Sequence, residues 1–218
     1  MAFIPNIAPP RTLALRPTPE QLKILDTRSG ATTLGYNACV AVWRALDAAS
    51  KASLRDDDTQ LAGRARRYID AKFQGALNSY AEAEADITYG IQAAVYAYRD
   101  KRRNPRAAPI PQLLAPNTFR VRIGSRGSDF TFGDAYLNAP GLGRVELDPF
   151  TPGVREYEIH PWSATARKAR THTGAERWVV RLAFTRDPFY DETISVADAS
   201  AKVLYEVTAP VPASILEE

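Results

Sequence analysis

Arg11-Thr-Leu-Ala-Leu-Arg16-Pro-Thr-Pro-Glu-Gln21 and, far along the chain, Ser163-Ala-Thr-Ala-Arg-Lys168 with Gly174-Ala-Glu-Arg-Trp178-Val-Val-Arg-Leu-Ala-Phe184 are the stretches on which the fold turns. Thr12 to Leu15 reads as a short strand ended by Pro17. Thr18 then stands as an N-cap, with Pro19 at the first helical position and Gln21 three residues after the cap, a capping-box arrangement. A helix therefore starts near Pro19. The later stretch reads as a β-hairpin turning near Gly174. A first strand and a last hairpin separated by helical patterns imply a β-domain opened near its beginning by a helical insertion.

Outward from these anchors, Leu22, Ile24 and Leu25 form the buried stripe of the first helix, which Gly30 is expected to break. A second apolar run extends from Leu34 through Val40 and Trp43 to Leu46. Asp56-Asp-Asp58 reads as a solvated loop. Leu61, Ala65, Tyr68, Ile69, Phe73 and Leu77 then follow a helical period, with Arg64, Arg66 and Arg67 around the outside. A further helix, from Ala85 to about Arg103, carries Ile87, Ile91, Ala94, Val95 and Tyr98 on one side. Pro105, Pro109 and Pro111 forbid helix and mark a linker.

Beyond Pro116 the texture is β. Short strands are expected at residues 118–123, 129–132, 136–138, 143–147, 157–160, 163–168 and 177–184, with a further hairpin at 193–198 and 202–208. Closing the strands with the one at 11–15 into a small barrel is the economical way to remove their edges. The expected class is α+β, a small β-barrel interrupted by a helical insertion. In residue numbers this is a discontinuous barrel over 1–17 and 112–190, a helical lobe over 18–104, a Pro-rich basic linker over 105–111, and a hairpin with an acidic tail over 191–218.

Composition narrows the function. The 218 residues are 45% hydrophobic and 24% charged, enough for a sizeable core. No apolar run approaches the roughly 18 residues of a membrane span, and the start lacks the basic and apolar regions of a signal peptide, so a cytoplasmic protein without membrane partners is expected. Cys39 is the lone cysteine and His160 and His172 are the only histidines. They offer no metal-ligand spacing, so neither a metal nor a cofactor is expected. There is no phosphate-binding loop, dinucleotide turn or nucleophile elbow. His160 at a strand end reads as a packed side chain, and Cys39 as core. Asp56-Asp-Asp58, Glu82, Glu84 and Asp86 read as solvated acids rather than a metal cluster. No catalytic residue is expected.

The formal charge of +3 says little by itself, but the basic residues are clustered. From Arg99 to Arg126 stand Arg99, Lys101, Arg102, Arg103, Arg106, Arg120, Arg122 and Arg126, against the single acid Asp100. Arginine forks suit phosphate. Tyr89, Tyr96 and Tyr98 precede the run and Phe119 lies inside it. Cations with interleaved aromatic faces suit single-stranded or irregular nucleic acid.

The order of these parts resembles the N-terminal half of the TnpB family and related type V CRISPR effectors. Arg16-Pro-Thr-Pro-Glu-Gln21 resembles the family's Pro-Thr-x-x-Gln signature after a strand, and Gly35-Tyr36-Asn37-Ala38 its tyrosine–asparagine segment. Gln92-Ala-Ala with Tyr96-Ala-Tyr-Arg99 resembles the helix before the basic linker. Phe119-Arg-Val-Arg-Ile123 and Leu142-Gly-Arg-Val-Glu-Leu147 resemble barrel strands, and Ser163-Ala-Thr with Glu176-Arg-Trp178-Val-Val the last hairpin. The resemblance covers roughly residues 11 to 186.

What the resemblance implies is a wedge barrel interrupted by a recognition lobe, with guide RNA and target DNA as partners. It implies that Gln92 and Tyr96 face the target duplex, beside backbone contacts from Arg64, Arg67, Arg99, Lys101, Arg102, Arg103, Arg106, Arg120 and Arg122. In that family a RuvC nuclease domain follows. Ile194-Ser-Val-Ala-Asp198 stands at the corresponding place without the family's glycines, twenty residues before the end. The expectation is thus a transposon- or CRISPR-associated, nuclease-deficient RNA-binding module, with a separate RuvC-bearing subunit among its expected partners. The alternative from another class is a protein-interaction or inhibitory factor, such as a phage-encoded one, acting on a nucleic-acid-binding effector.

Overall fold

The computed structural model describes residues 11–54, 58–77, 83–115, 118–125, 131–133, 135–148, 163–170, 173–183 and 211–216. The expected strand at 157–160, the hairpin at 193–208, Arg126, His160, His172 and Asp198 lie outside them. The chain divides into two compact units, Met1–Asp26 with Arg120–Ala197, and Thr27–Phe119 with Asp198–Glu218. The boundary falls inside the first helix, so neither unit is continuous in sequence. No helix among the described residues is long and apolar enough to cross a membrane.

The first unit is a sheet. Its strands are β1 (Arg11–Arg16), β2 (Val121–Ser125), β3 (Thr131–Gly133), β4 (Tyr136–Ala139), β5 (Gly143–Leu147), β6 (Ser163–Arg170) and β7 (Glu176–Ala183). They lie in the order β2-β6-β7-β1-β5-β4-β3, with every pairing antiparallel. The closed barrel expected from the sequence is not formed among the described strands: the order is linear, from β2 at one end to β3 at the other. Helix and side chains cover the core instead of strand closure. Arg11 to Ala14 pair with β7 while Leu15 and Arg16 pair with β5, so β1 belongs to both halves of the sheet. The enclosed core takes Leu15, Val121, Ile123, Leu137, Val145, Leu147, Trp178, Val180 and Leu182 from strands, and Leu25 from helix α1 (Pro19–Ala45).

The capping box at the start of α1 is present. The Thr18 amide donates to Gln21 Oε1 at 3.0 Å and the Gln21 amide to Thr18 Oγ1 at 3.3 Å. Gln21 also donates its side-chain amide to the carbonyls of Leu142 at 3.1 Å and Arg144 at 2.8 Å. One side chain thereby starts the helix and holds the β4–β5 turn against it. That turn uses Gly141 and Gly143, both with φ near +70°, a conformation that side-chain-bearing residues avoid. Lys168 reaches Asp26 at 2.7 Å and lies over the Trp178 ring.

The second unit is helical, built from α1 beyond Asp26, α2 (Ala48–Ser53), α3 (Asp58–Leu77), α4 (Ala83–Arg103) and α5 (Ala213–Leu216). Gly30 does not break α1, because Ser29 to Val40 is buried throughout and tertiary packing outweighs the roughly 1 kcal/mol cost of a mid-helix glycine. Asp58 is the first residue of α3 rather than part of a loop. Helix α2 starts at Asp47, whose carboxylate accepts from the Ser50 amide at 2.7 Å and is held below the usual aspartate range by that bond.

Two glycines set the distance between α1 and α4. A Cβ on Gly35 would overlap the Ile87 carbonyl oxygen, and one on Gly90 would overlap the Thr32 carbonyl oxygen. The backbones therefore touch without intervening side chains. Beside this crossing, Arg28 makes a two-bond ion pair with the buried Asp86, at 2.9 and 3.2 Å.

Polar residues buried in α1 capture the segment that follows α4. Asn37 accepts from the Leu114 amide and donates to the Leu114 carbonyl, both at 2.8 Å, as a neighbouring strand would. Ser29 donates to the Phe119 carbonyl at 2.7 Å and Thr33 accepts from the Phe119 amide at 3.1 Å. Each buried backbone group so paired avoids a desolvation cost of about 1–3 kcal/mol. The Tyr36 ring completes the seat by stacking on Phe119, centroids 4.9 Å apart.

Candidate nucleic-acid interface

On α4 the exposed positions form one line. Gln92 and Tyr96 are exposed, Arg99 is half-buried and Arg103 is exposed, at spacings of four, three and four residues that keep them on a single helix face. The opposite face holds the buried Ile87, Gly90, Ile91, Ala94, Val95 and Tyr98. The Arg99 guanidinium lies 5.9 Å from the Tyr96 ring centroid, which orients a planar cation beside an aromatic face. Lys101, Arg102 and Arg103 stand in the last turn, where the helix dipole favours positive charge, and Arg106 is exposed just beyond.

Several residues expected to meet a ligand meet the protein instead. Arg64 is 5% exposed and donates to the Leu216 carbonyl at 2.9 Å. Lys101 donates to the carbonyls of Pro105 and Ala108, at 2.5 and 2.8 Å, which closes the turn after α4. Arg102 donates to the Leu54 carbonyl at 3.2 Å, at the C-terminal end of α2. Backbone carbonyls at helix ends and turns need donors, and long basic side chains nearby supply them.

The aromatics divide in the same way. Phe119, Tyr89 and Tyr98 are buried and cannot stack on a base, which corrects the expectation drawn from their interleaving with arginines. Phe119 sits between Tyr36 and Tyr89, and Tyr98 stacks on Trp43 at 4.5 Å. Burial pushes the Tyr98 hydroxyl above the usual tyrosine range, so it stays protonated. Of the expected stacking residues, Tyr96 alone is exposed.

The sheet unit brings together residues that the chain keeps apart. Arg122 of β2 is paired with Thr165 of β6, Thr165 with Arg181 of β7, and Arg181 with Thr12 of β1. Their strand neighbours Val121, Ala164, Ala166, Val180 and Leu182 are in the core, so alternation puts the row Arg122-Thr165-Arg181-Thr12 on the other face. Strand spacing sets the two arginine Cα atoms about 10 Å apart with a threonine hydroxyl between them. The adjoining row is Arg167, Val179 and Ala14, and Arg177 lies opposite Ala169. Arg177 approaches Asp148 at 3.5 Å, and Arg16 approaches the same carboxylate at 2.5 Å.

Arg122 was legible in sequence as part of the basic stretch, whereas Arg181, Arg167, Thr165 and Thr12 were not. Their positions opposite the core follow from alternation within each strand, with Thr12 exposed and Thr165, Arg167 and Arg181 half-buried. Only the register shows that they share a row. Arg120, half-buried, precedes β2 in the sheet unit, and the exposed Arg67 lies on α3 of the helical unit. Among the described residues no group of His, Cys, Asp and Glu is arranged to hold a metal ion. No protein-family model matches the chain, and no curated protein matches it.

Proposed function

We propose that this chain is a nucleic-acid-binding module of RNA-guided DNA recognition, in which it holds guide RNA scaffold and guide–target duplex and performs no strand cleavage itself. The observation that carries the reading is the Arg122-Thr165-Arg181-Thr12 row, two arginines and two hydroxyls in register on one sheet face. Guanidinium groups neutralise phosphates and hydroxyls hydrogen-bond to phosphate or to a ribose 2′-OH, which is how double-stranded RNA is held without reading its sequence. The Gln92-Tyr96-Arg99-Arg103 line supports a second kind of contact, an amide and an aromatic face that meet bases beside a cation that meets backbone. On this proposal the open sheet corresponds to a wedge domain and the helices to a recognition lobe, as in the TnpB family that the sequence resembles. A RuvC-bearing partner supplies the cutting.

Replacing Arg122 and Arg181 together by glutamine tests the reading. Both lie opposite the core residues of their strands, Arg122 exposed and Arg181 half-buried, so the double variant is expected to remain folded. Affinity for a labelled stem–loop RNA is expected to fall at least about tenfold, and the salt dependence to lose about two phosphate contacts. Unchanged affinity and slope would remove the row from the interface.

A protein partner is the second reading, and one observation favours it. Ile110 and Leu113, 60% and 42% exposed, stand in the Pro-rich segment that follows α4 in the helical unit. Pro-rich segments with exposed apolar side chains suit recognition by grooves on other proteins. Affinity purification that recovers a protein and no RNA would select this reading over the first.

A further inference from the structure

The outward line of α3 is interrupted. Gln60, Arg67 and Ala71 are exposed, and Arg64, which continues the same line at helical spacing, is buried. Helix α5 packs on α3, and its Leu216 carbonyl takes the Arg64 guanidinium at 2.9 Å while Ile215 is buried.

Resting on the nucleic-acid reading above, we propose that Arg64 is a covered phosphate-binding residue and that Val211–Leu216 is a displaceable strap over it. Arg64 brings the five N–H donors of a planar guanidinium under the strap. Its hydrogen-bond partner there is a neutral carbonyl. A phosphate oxygen is a charged acceptor and forms a bond roughly twice as strong. Nucleic acid that reaches α3 therefore competes for Arg64 with an advantage.

The strap is built to yield. Helix α5 has four residues, far fewer than the roughly 12 that a helix needs to hold itself in water. Among the described residues, it is tied to α3 by burial of Ile215 and the bond from Arg64. Once lifted, it leaves Arg64 and Arg67, three positions apart on one helix face, as a pair of forks for consecutive phosphates. Single short turns of helix open locally far more often than the core does.

The test uses the full chain, a labelled stem–loop RNA and the variant Ile215→Ala, which removes the buried side chain of the strap and adds no charge beside Arg64. RNA affinity is expected to rise on the order of fivefold, about 1 kcal/mol. The gain should vanish when Arg64→Gln is added. On the unaltered chain, RNA should speed amide exchange at residues 213–216. Equal affinity of the unaltered chain and Ile215→Ala, or RNA that leaves unchanged or slows exchange at 213–216, would overturn the strap and leave the nucleic-acid reading standing. Absence of RNA binding by both proteins would overturn both. If Ile215→Ala fails to fold, the exchange experiment on the unaltered chain decides.

Discussion

The helical unit and the sheet unit arrange their basic side chains by different means. In the helical unit, Lys101 and Arg102 end on the carbonyls of Pro105 and Ala108, and Leu54, where they fasten a turn and a helix end. In the sheet unit, Arg122 and Arg181 come from distant parts of the chain and are set in one row by strand register. Density of charge along the sequence is thus a poor guide to where folding gathers it. The crowded run beside α4 spends part of itself on its own backbone, and the sparse arginines of the strands are gathered by folding.

Two glycines within the helical unit give the largest expected effect. Backbone meets backbone where α1 crosses α4, so Gly90→Val should cost about 3 kcal/mol or more, seen as a sharply lower melting temperature. Gly63, on α3, has nothing nearer a new Cβ than an Arg67 side-chain nitrogen at 3.8 Å. Gly63→Ala should therefore stabilise the protein by roughly 0.5–1 kcal/mol. Equal effects of the two substitutions would contradict the close crossing.

A smaller effect tests the proposal that the two units meet different kinds of nucleic acid. Tyr96→Ala leaves the core intact, because Tyr96 is exposed, and removes the one accessible aromatic face of the α4 line. It should weaken binding of a single-stranded oligonucleotide by about 1–3 kcal/mol, the worth of one base stacked on an aromatic ring. Binding of duplex RNA should scarcely change, whereas Arg122→Gln with Arg181→Gln should weaken duplex binding more. Parallel losses for both probes would merge what the comparison keeps apart.

Part of this was legible before folding. The Thr18–Gln21 capping box depends on residues three apart, so sequence states it fully; the further bonds from Gln21 to Leu142 and Arg144 depend on a turn more than a hundred residues away. Helical spacing put Gln92 and Tyr96 on one face. It gave no means of telling that Tyr89, Tyr98 and Phe119 would be taken by the core, since aromatic residues serve packing and stacking equally well. Gly30 read as a breaker because local propensity counts against glycine, and burial of its neighbours decided otherwise. Strand alternation was visible throughout, but register was not, so the Arg-Thr-Arg-Thr row had to be seen in three dimensions. Economy of edges suggested a closed barrel; a helix covering the core made closure unnecessary.

The central claim is that these outward arginines meet phosphate. Electrophoretic binding of the full chain to a labelled stem–loop RNA across a salt series tests it directly. Each neutralised phosphate contributes roughly 0.7–0.9 to the slope of log affinity against log salt. The Arg122–Arg181 row alone predicts a slope near −1.5, and engagement of Arg103 and Arg106 on the helical unit steepens it to about −3. An affinity that stays micromolar and flat with salt would contradict the claim.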